Sequence, residues 1–142
     1  MRAYFSRRYW LSASHRLHSD VFSEDLNRAV YGKCNNPHGH GHNYVIEVTV
    51  GGPVSAETGM VCDLVELDLC VQKEVVDRFD HTNLNLDPLF QDRVPTTENL
   101  CIEVYRLLAA AFDKAELVRV RVEETSNNSF EYPMKTFFAA GA

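Results

Sequence analysis

One stretch, CNNPHGHGHNY at residues 34–44, places a cysteine and three histidines within nine residues. Such a set has three chemical outlets: four ligands closing a structural zinc, an open metal site with a position kept for substrate, or a polar loop rich in imidazole. Side-chain direction separates them. His40 and His42 stand two apart, so on a strand they leave the same face, and Gly39 and Gly41 give the loop freedom to turn them inward. His15 ends an earlier period-two segment on its apolar side. Antiparallel neighbours bring such ends together, and three neutral imidazoles then make a zinc site with an open fourth position, as in catalytic zinc. Cys34 is the rival fourth ligand that would close the site. Beside Lys33 it also suits a thiolate that removes a proton from a metal-bound substrate. His18 and His38 lack a partner on a matching face and are expected in solvent.

The carboxylates add to this set. Glu124 has the parity of Val118, Val120 and Val122, a costly place for a charge unless it is paired. Asp80 and His81 adjoin at a helix end; they suit a cap, or a carboxylate that orients an imidazole if Cys34 lies near. Glu98, in PTTEN, suits the first turn of a helix. Glu98 or Glu124 could instead accept two hydrogen bonds from the amino-imino edge of a guanidine-like heterocycle.

The elements that must position these groups follow from periodicity. Tyr4 to His15 puts Phe5, Tyr9, Leu11, Ala13 and His15 on one face of a strand, interrupted by Arg7. His42 to Val50, extended to His40 if the histidines share it, puts Tyr44, Ile46, Val48 and Val50 together. Between them Ser23 caps a short helical turn that Gly32 ends. Residues 64–79 carry Leu64, Leu67, Val71, Val75 and Phe79 at helical spacing. A second helix starts at Thr96 or Thr97, with Leu100, Val104, Leu107, Leu108 and Ala111 as its buried stripe. LVRVRVEE returns to period two, and NNSFEYP predicts a turn and a last short strand; the tail MKTFFAAGA carries no clear signal. The order predicts an α+β fold, a four-stranded antiparallel sheet with two helices on one face. Its edges and outer face favour oligomerisation.

At 142 residues the chain suits one domain, 1–142, burying roughly two-thirds of its unfolded surface. A net charge of −6 gives no general attraction for nucleic acid or anionic membranes, though a pocket with Lys33, Arg28 or a metal can still hold an anionic small molecule. No apolar run approaches the ~18 residues of a membrane span, and the first twenty residues alternate polar with apolar, so a cytoplasmic protein is expected. Cys34, Cys62, Cys70 and Cys101 are far apart and are expected to stay reduced.

In order along the chain, SASHRL, YGKCNNPHGHGHNY, TGMVCDLVEL, FDHTNLN, PTTEN and VRVEETSNN resemble the 6-pyruvoyl-tetrahydropterin synthases and their relatives the 6-carboxy-tetrahydropterin synthases. The resemblance runs from Phe5 to Tyr132. It implies zinc held by His15, His40 and His42, with Cys34 as the proton-abstracting residue. Asp80 and His81 complete a triad across a subunit boundary, Glu98 and Glu124 bind the pterin with Thr96 and Thr97 beside them, and Glu124 also joins a charge relay. The implied fold is the tunnelling fold, whose trimers close their sheets into a barrel and stack as hexamers. The implied substrate is 7,8-dihydroneopterin triphosphate, a small molecule that loses triphosphate, in tetrahydrobiopterin biosynthesis for the pyruvoyl type. Five residues separate Cys34 from His40, as in the pyruvoyl type; the carboxy enzymes of the queuosine pathway typically have three. The alternatives are that carboxy activity, or a zinc-stabilised pterin binder without catalysis.

Overall fold

Period-two segments become the strands. β1 (Arg2–His15) pairs antiparallel with β2 (His40–Pro53) along its whole length, and β2 pairs with β4 (Glu116–Thr125), which pairs with β5 (Asn128–Tyr132). The computed structural model describes residues 1–134, so the tail from Lys135 onward lies outside the described residues.

The sheet has five strands, not the four expected, and it is mixed. β3 (Thr82–Asn83) adds to the free edge of β1 in parallel, giving the order β3-β1-β2-β4-β5. Two residues are too few to show a period, which is why this strand is invisible in sequence. His81 immediately before it takes a positive φ of 58°, turning the chain sharply from helix to strand.

Three helical segments accompany the sheet. α1 (Glu24–Tyr31) is capped by Ser23, whose hydroxyl accepts from the Leu26 N–H; it buries only Asn27 and adds nothing to the main core. A 3₁₀ turn, Gly32–Asn35, follows. The helix expected over 64–79 is present with a wide π turn inside it: α2 (Leu64–Val71), the π turn Gln72–Val76, then the closing turn α3 (Asp77–Phe79). α4 (Thr97–Ala111) starts at Thr96, whose hydroxyl accepts from the Asn99 N–H.

The core lies between one sheet face and the 64–79 and 97–111 helices. Leu11, Tyr44, Ile46, Val48, Val50, Val120 and Val122 meet Leu67, Val71, Val75, Phe79, Leu100, Val104 and Leu108. The α4 stripe differs at its end: Ala111 is exposed, while Cys101 and Glu103 are buried. Glu103 is the one buried acid among the described residues, and it is doubly paired, with Arg93 and, at 3.1 Å, with Arg106. Charge in a core is tolerated only when paired in this way.

Candidate metal centre and active site

Strand register brings the histidines together. His15 lies directly opposite His40 in the β1–β2 ladder, and Ala13 opposite His42, so His15, His40 and His42 emerge on the core face at one end of the sheet. Their ring centroids are 4.7–5.1 Å apart. The strand extension to His40 is what sets this register. Gly39, not Gly41, carries the glycine requirement: its φ is +70°, and a Cβ there would stand 3.0 Å from the His15 carbonyl oxygen.

Glu124 joins them. The β4–β5 register shifts between Glu123 and Thr125, so Glu124 occupies a bulge, a device that re-aims a side chain at a strand end. Its Oε1 lies 3.0 Å from His42 Nε2 and 3.7 Å from His15 Nε2. His15 Nε2 is 3.1 Å from His40 Nε2. The four side chains each offer a ligand atom, all within 4.8 Å of one another. Atoms bound to a tetrahedral ion at ~2.0–2.2 Å lie about 3.3–3.6 Å apart, a spacing that donors this close can reach, so the set fits a metal.

Two further observations support the fit. His15 Nδ1 lies 2.8 Å from the Pro95 carbonyl; donation there fixes the tautomer that leaves Nε2 bare toward the cluster. Conversely His40 Nδ1 and His42 Nε2 are buried with no hydrogen-bond partner, although Glu124 Oε1 stands close to the latter. Burial, above all, holds His15 and His42 below the usual imidazole value; the Pro95 hydrogen bond at His15 and the Glu124 charge at both oppose it, and neighbouring histidines push further down. Neutral imidazoles are the form that binds metal.

Cys34 is half-buried in the 3₁₀ turn, and its thiol is pushed up by burial first and then by the Glu124 charge. The expectation that Lys33 would favour the thiolate is therefore not met. The exposed Lys33 side chain lines a separate cleft, whereas Cys34 feels the carboxylate of the histidine cluster. Tyr44, also buried, has its hydroxyl 3.4 Å from His15 Nδ1 and its phenol pushed up by burial and then by Glu124.

No hydrogen bond or ion pair joins Asp80 or His81 to Cys34 among the described residues. Asp80 Oδ1 accepts from the Ser12 N–H at 2.8 Å, and the His81 N–H donates to the Ser12 carbonyl at 2.6 Å, so one strand residue grips both. The His81 ring is 84% exposed, 3.6 Å from Asp80, at a cleft of about 400 Å³ bordered by His42 of the histidine cluster as well as by Ser12, Ser14 and Asn43. The last three have the parity of the sheet face opposite the core.

In PTTEN, Thr96 caps α4, Thr97 is buried, and Glu98 is exposed. The residue sequence reasoning missed is Pro95, whose backbone carbonyl has no side-chain signature. Tyr44 shares the parity of His40 and His42 and could have been added to the site on that ground. His18 is half-buried, not solvated: its Nδ1 meets Asn35 Nδ2 at 3.1 Å. His38 is exposed, as expected.

Known proteins resemble the chain throughout. Residues 4–135 match the family model described as 6-pyruvoyl tetrahydropterin synthase. A 6-pyruvoyl tetrahydrobiopterin synthase of Poecilia reticulata is 45% identical over 130 residues, covering 91% of this chain and 88% of its own. The Homo sapiens protein of the same name is 43% identical over 132 residues, covering 92% of this chain and 91% of its own. A solved 6-pyruvoyl tetrahydropterin synthase of Caenorhabditis elegans, 39% identical, superposes with a TM-score of 0.90 over 95% of this chain and 97% of that one.

Proposed function

The chain belongs to the 6-pyruvoyl tetrahydropterin synthase family, and we propose that it is a lyase of that type, converting 7,8-dihydroneopterin triphosphate to 6-pyruvoyl tetrahydropterin with loss of triphosphate. The observation that carries this reading is the convergence of His15, His40, His42 and Glu124, with Cys34 within reach of the same carboxylate's charge.

Three imidazoles with a fourth position left for substrate suit zinc among the common divalent ions. His15, His40 and His42 would hold it. Once bound, the ion would act as a Lewis acid toward the substrate's side-chain hydroxyls and offset the Glu124 charge that disfavours the Cys34 thiolate. Cys34 takes the carbon-bound proton; a positioned base contributes ~10²- to 10⁴-fold. Glu124 and Glu98 grip the amino-imino edge of the pterin with Thr96 and Thr97 beside them, so that ring and reacting side chain are fixed together. Glu124 also relays charge between pterin and base. No outside redox cofactor is required, because the side chain rearranges internally.

Asp80 and His81 serve a neighbouring copy's Cys34. What supports this is their place at an exposed cleft, with no hydrogen bond or ion pair to Cys34 of their own chain among the described residues. The assembly is then a trimer that closes its sheets into a barrel, doubled to a hexamer, of one-domain chains spanning 1–142. No helix among the described residues is long and apolar enough to cross a membrane, and the protein is read as cytoplasmic.

Incubation of the zinc-loaded protein with dihydroneopterin triphosphate tests the reading: a pyruvoyl product is expected. Release of acetaldehyde with a carboxy product would replace the activity, and tight binding without turnover would make the protein an idle pterin binder.

A further inference from the structure

A second concentration of charge lies beside the metal centre and has the opposite sign from the chain. α1 and the 3₁₀ turn enclose a cleft of about 470 Å³, lined among others by Arg16, His18, Glu24, Arg28, Lys33 and Asn36. Small-molecule clefts span ~300–1,000 Å³. Three full positive charges thus face one carboxylate, in a chain whose net charge is −6. Cations so gathered focus attraction on an anion that the molecule as a whole repels.

These cations are prepared rather than scattered. Arg16 is gripped by Asn85, whose Oδ1 accepts from the Arg16 N–H at 2.7 Å and whose Nδ2 donates to the Arg16 carbonyl at 2.9 Å. Arg16 Nε donates to the Asn35 carbonyl at 3.1 Å, and its terminal nitrogens have no partner among the described residues. Lys33 forms no ion pair among them either. Arg28 is paired only with exposed Asp25, an ion pair that a stronger anion readily exchanges.

The cleft also adjoins the chemistry. Arg16 directly follows His15, and Lys33 and Asn35 flank Cys34. A smaller hollow of about 160 Å³, lined by His15 and His38, shares Arg16 and Pro37 with the cleft. Building on the function proposed above, we infer that this cleft is the subsite for the leaving triphosphate, with Arg16, Arg28 and Lys33 as its cationic contacts. Guanidinium forks and an ammonium suit phosphoryl oxygens, and a subsite of this kind stabilises the charge that passes to the departing group.

The test compares two ligands differing only in the triphosphate. Zinc-loaded Cys34→Ala protein, its turnover slowed by the loss of the base, is titrated calorimetrically with dihydroneopterin triphosphate and with dihydroneopterin. Adding Arg28→Ala and Lys33→Ala should weaken the triphosphate ester by on the order of tenfold or more and leave dihydroneopterin within about twofold. Arg28→Lys with Lys33→Arg should retain the affinity, and Glu24→Gln should raise it. Equal weakening of both ligands, or of neither, overturns the subsite. Should neither pterin bind the parent protein, the proposed function falls, and inorganic tripolyphosphate on metal-free protein decides the cleft alone: binding lost with Arg28 and Lys33 upholds it, and binding indifferent to them refutes it.

Discussion

Two buried polar clusters in this molecule are finished differently. Around Glu103 the charge is closed on itself: one carboxylate on α4 is met by Arg93 and Arg106, and no side-chain atom of the trio is buried without a partner. Around His15 the polar atoms are left open. Of the buried side-chain atoms lacking a partner among the described residues, His40 Nδ1 and His42 Nε2 are both in the cluster. A polar group serving only the fold is satisfied by the fold, because leaving it bare costs ~1–3 kcal/mol. Bare atoms gathered in one place mark where something from outside is received.

Removing metal should break this comparison most severely. Chelation, or His40→Ala, should take turnover to background, and the metal-free protein should melt earlier, since ligand at ~1,000 times its Kd adds about 4 kcal/mol to stability. Metal analysis and a melting curve check both. Next, Cys34→Ala should lower kcat by ~10²- to 10⁴-fold with zinc content unchanged; loss of zinc instead would make Cys34 a ligand.

Glu103→Ala tests the closed cluster. It should reduce stability by about 1–3 kcal/mol in denaturant unfolding, less than a fully buried pair because both arginines reach solvent, and leave the zinc stoichiometry intact. The smallest effect concerns pH. Burial and Glu124 raise the Cys34 thiol, so its alkylation by iodoacetamide, followed at that residue by mass spectrometry, should climb about tenfold per pH unit above neutrality. Glu124→Gln removes one of the two causes and should move the climb to lower pH, by less than about one unit. An unmoved profile would show that burial alone sets the thiol.

The histidine cluster was legible because parity is a long-range instrument. Strand alternation puts His15, His40, His42 and Glu124 with the core residues before any contact is known, and the register then meets that expectation at His15 opposite His40. What stayed hidden depends on backbone and on packing. The Pro95 carbonyl that orients His15 carries no side-chain information, β3 is two residues long, and Cys34 is governed by burial where sequence shows only the neighbouring Lys33. Asp80 and His81 were visible as a pair, while their grip on Ser12 arises from a positive φ that no residue type at position 81 announces.

The π turn at Gln72–Val76 has a bearing on that grip. Leu67, Val71, Val75 and Phe79 recur every four residues, and on a regular α-helix each such step overshoots a full circle by about 40°. Three steps would carry Phe79 well round the cylinder from Leu67, yet all four are fully or almost fully buried. The widened turn acts as a phase corrector: it absorbs the accumulated rotation, so that the helix reaches its end facing the sheet and delivers Asp80 and His81 to Ser12. Deleting one residue there would restore a regular helix with eleven steps of about 100° from Leu67 to Phe79, about 20° past three full turns, and keep the Asp80–His81 pair in phase with the strand that holds it, whereas inserting a further residue would rotate the pair away from that strand by about 100°.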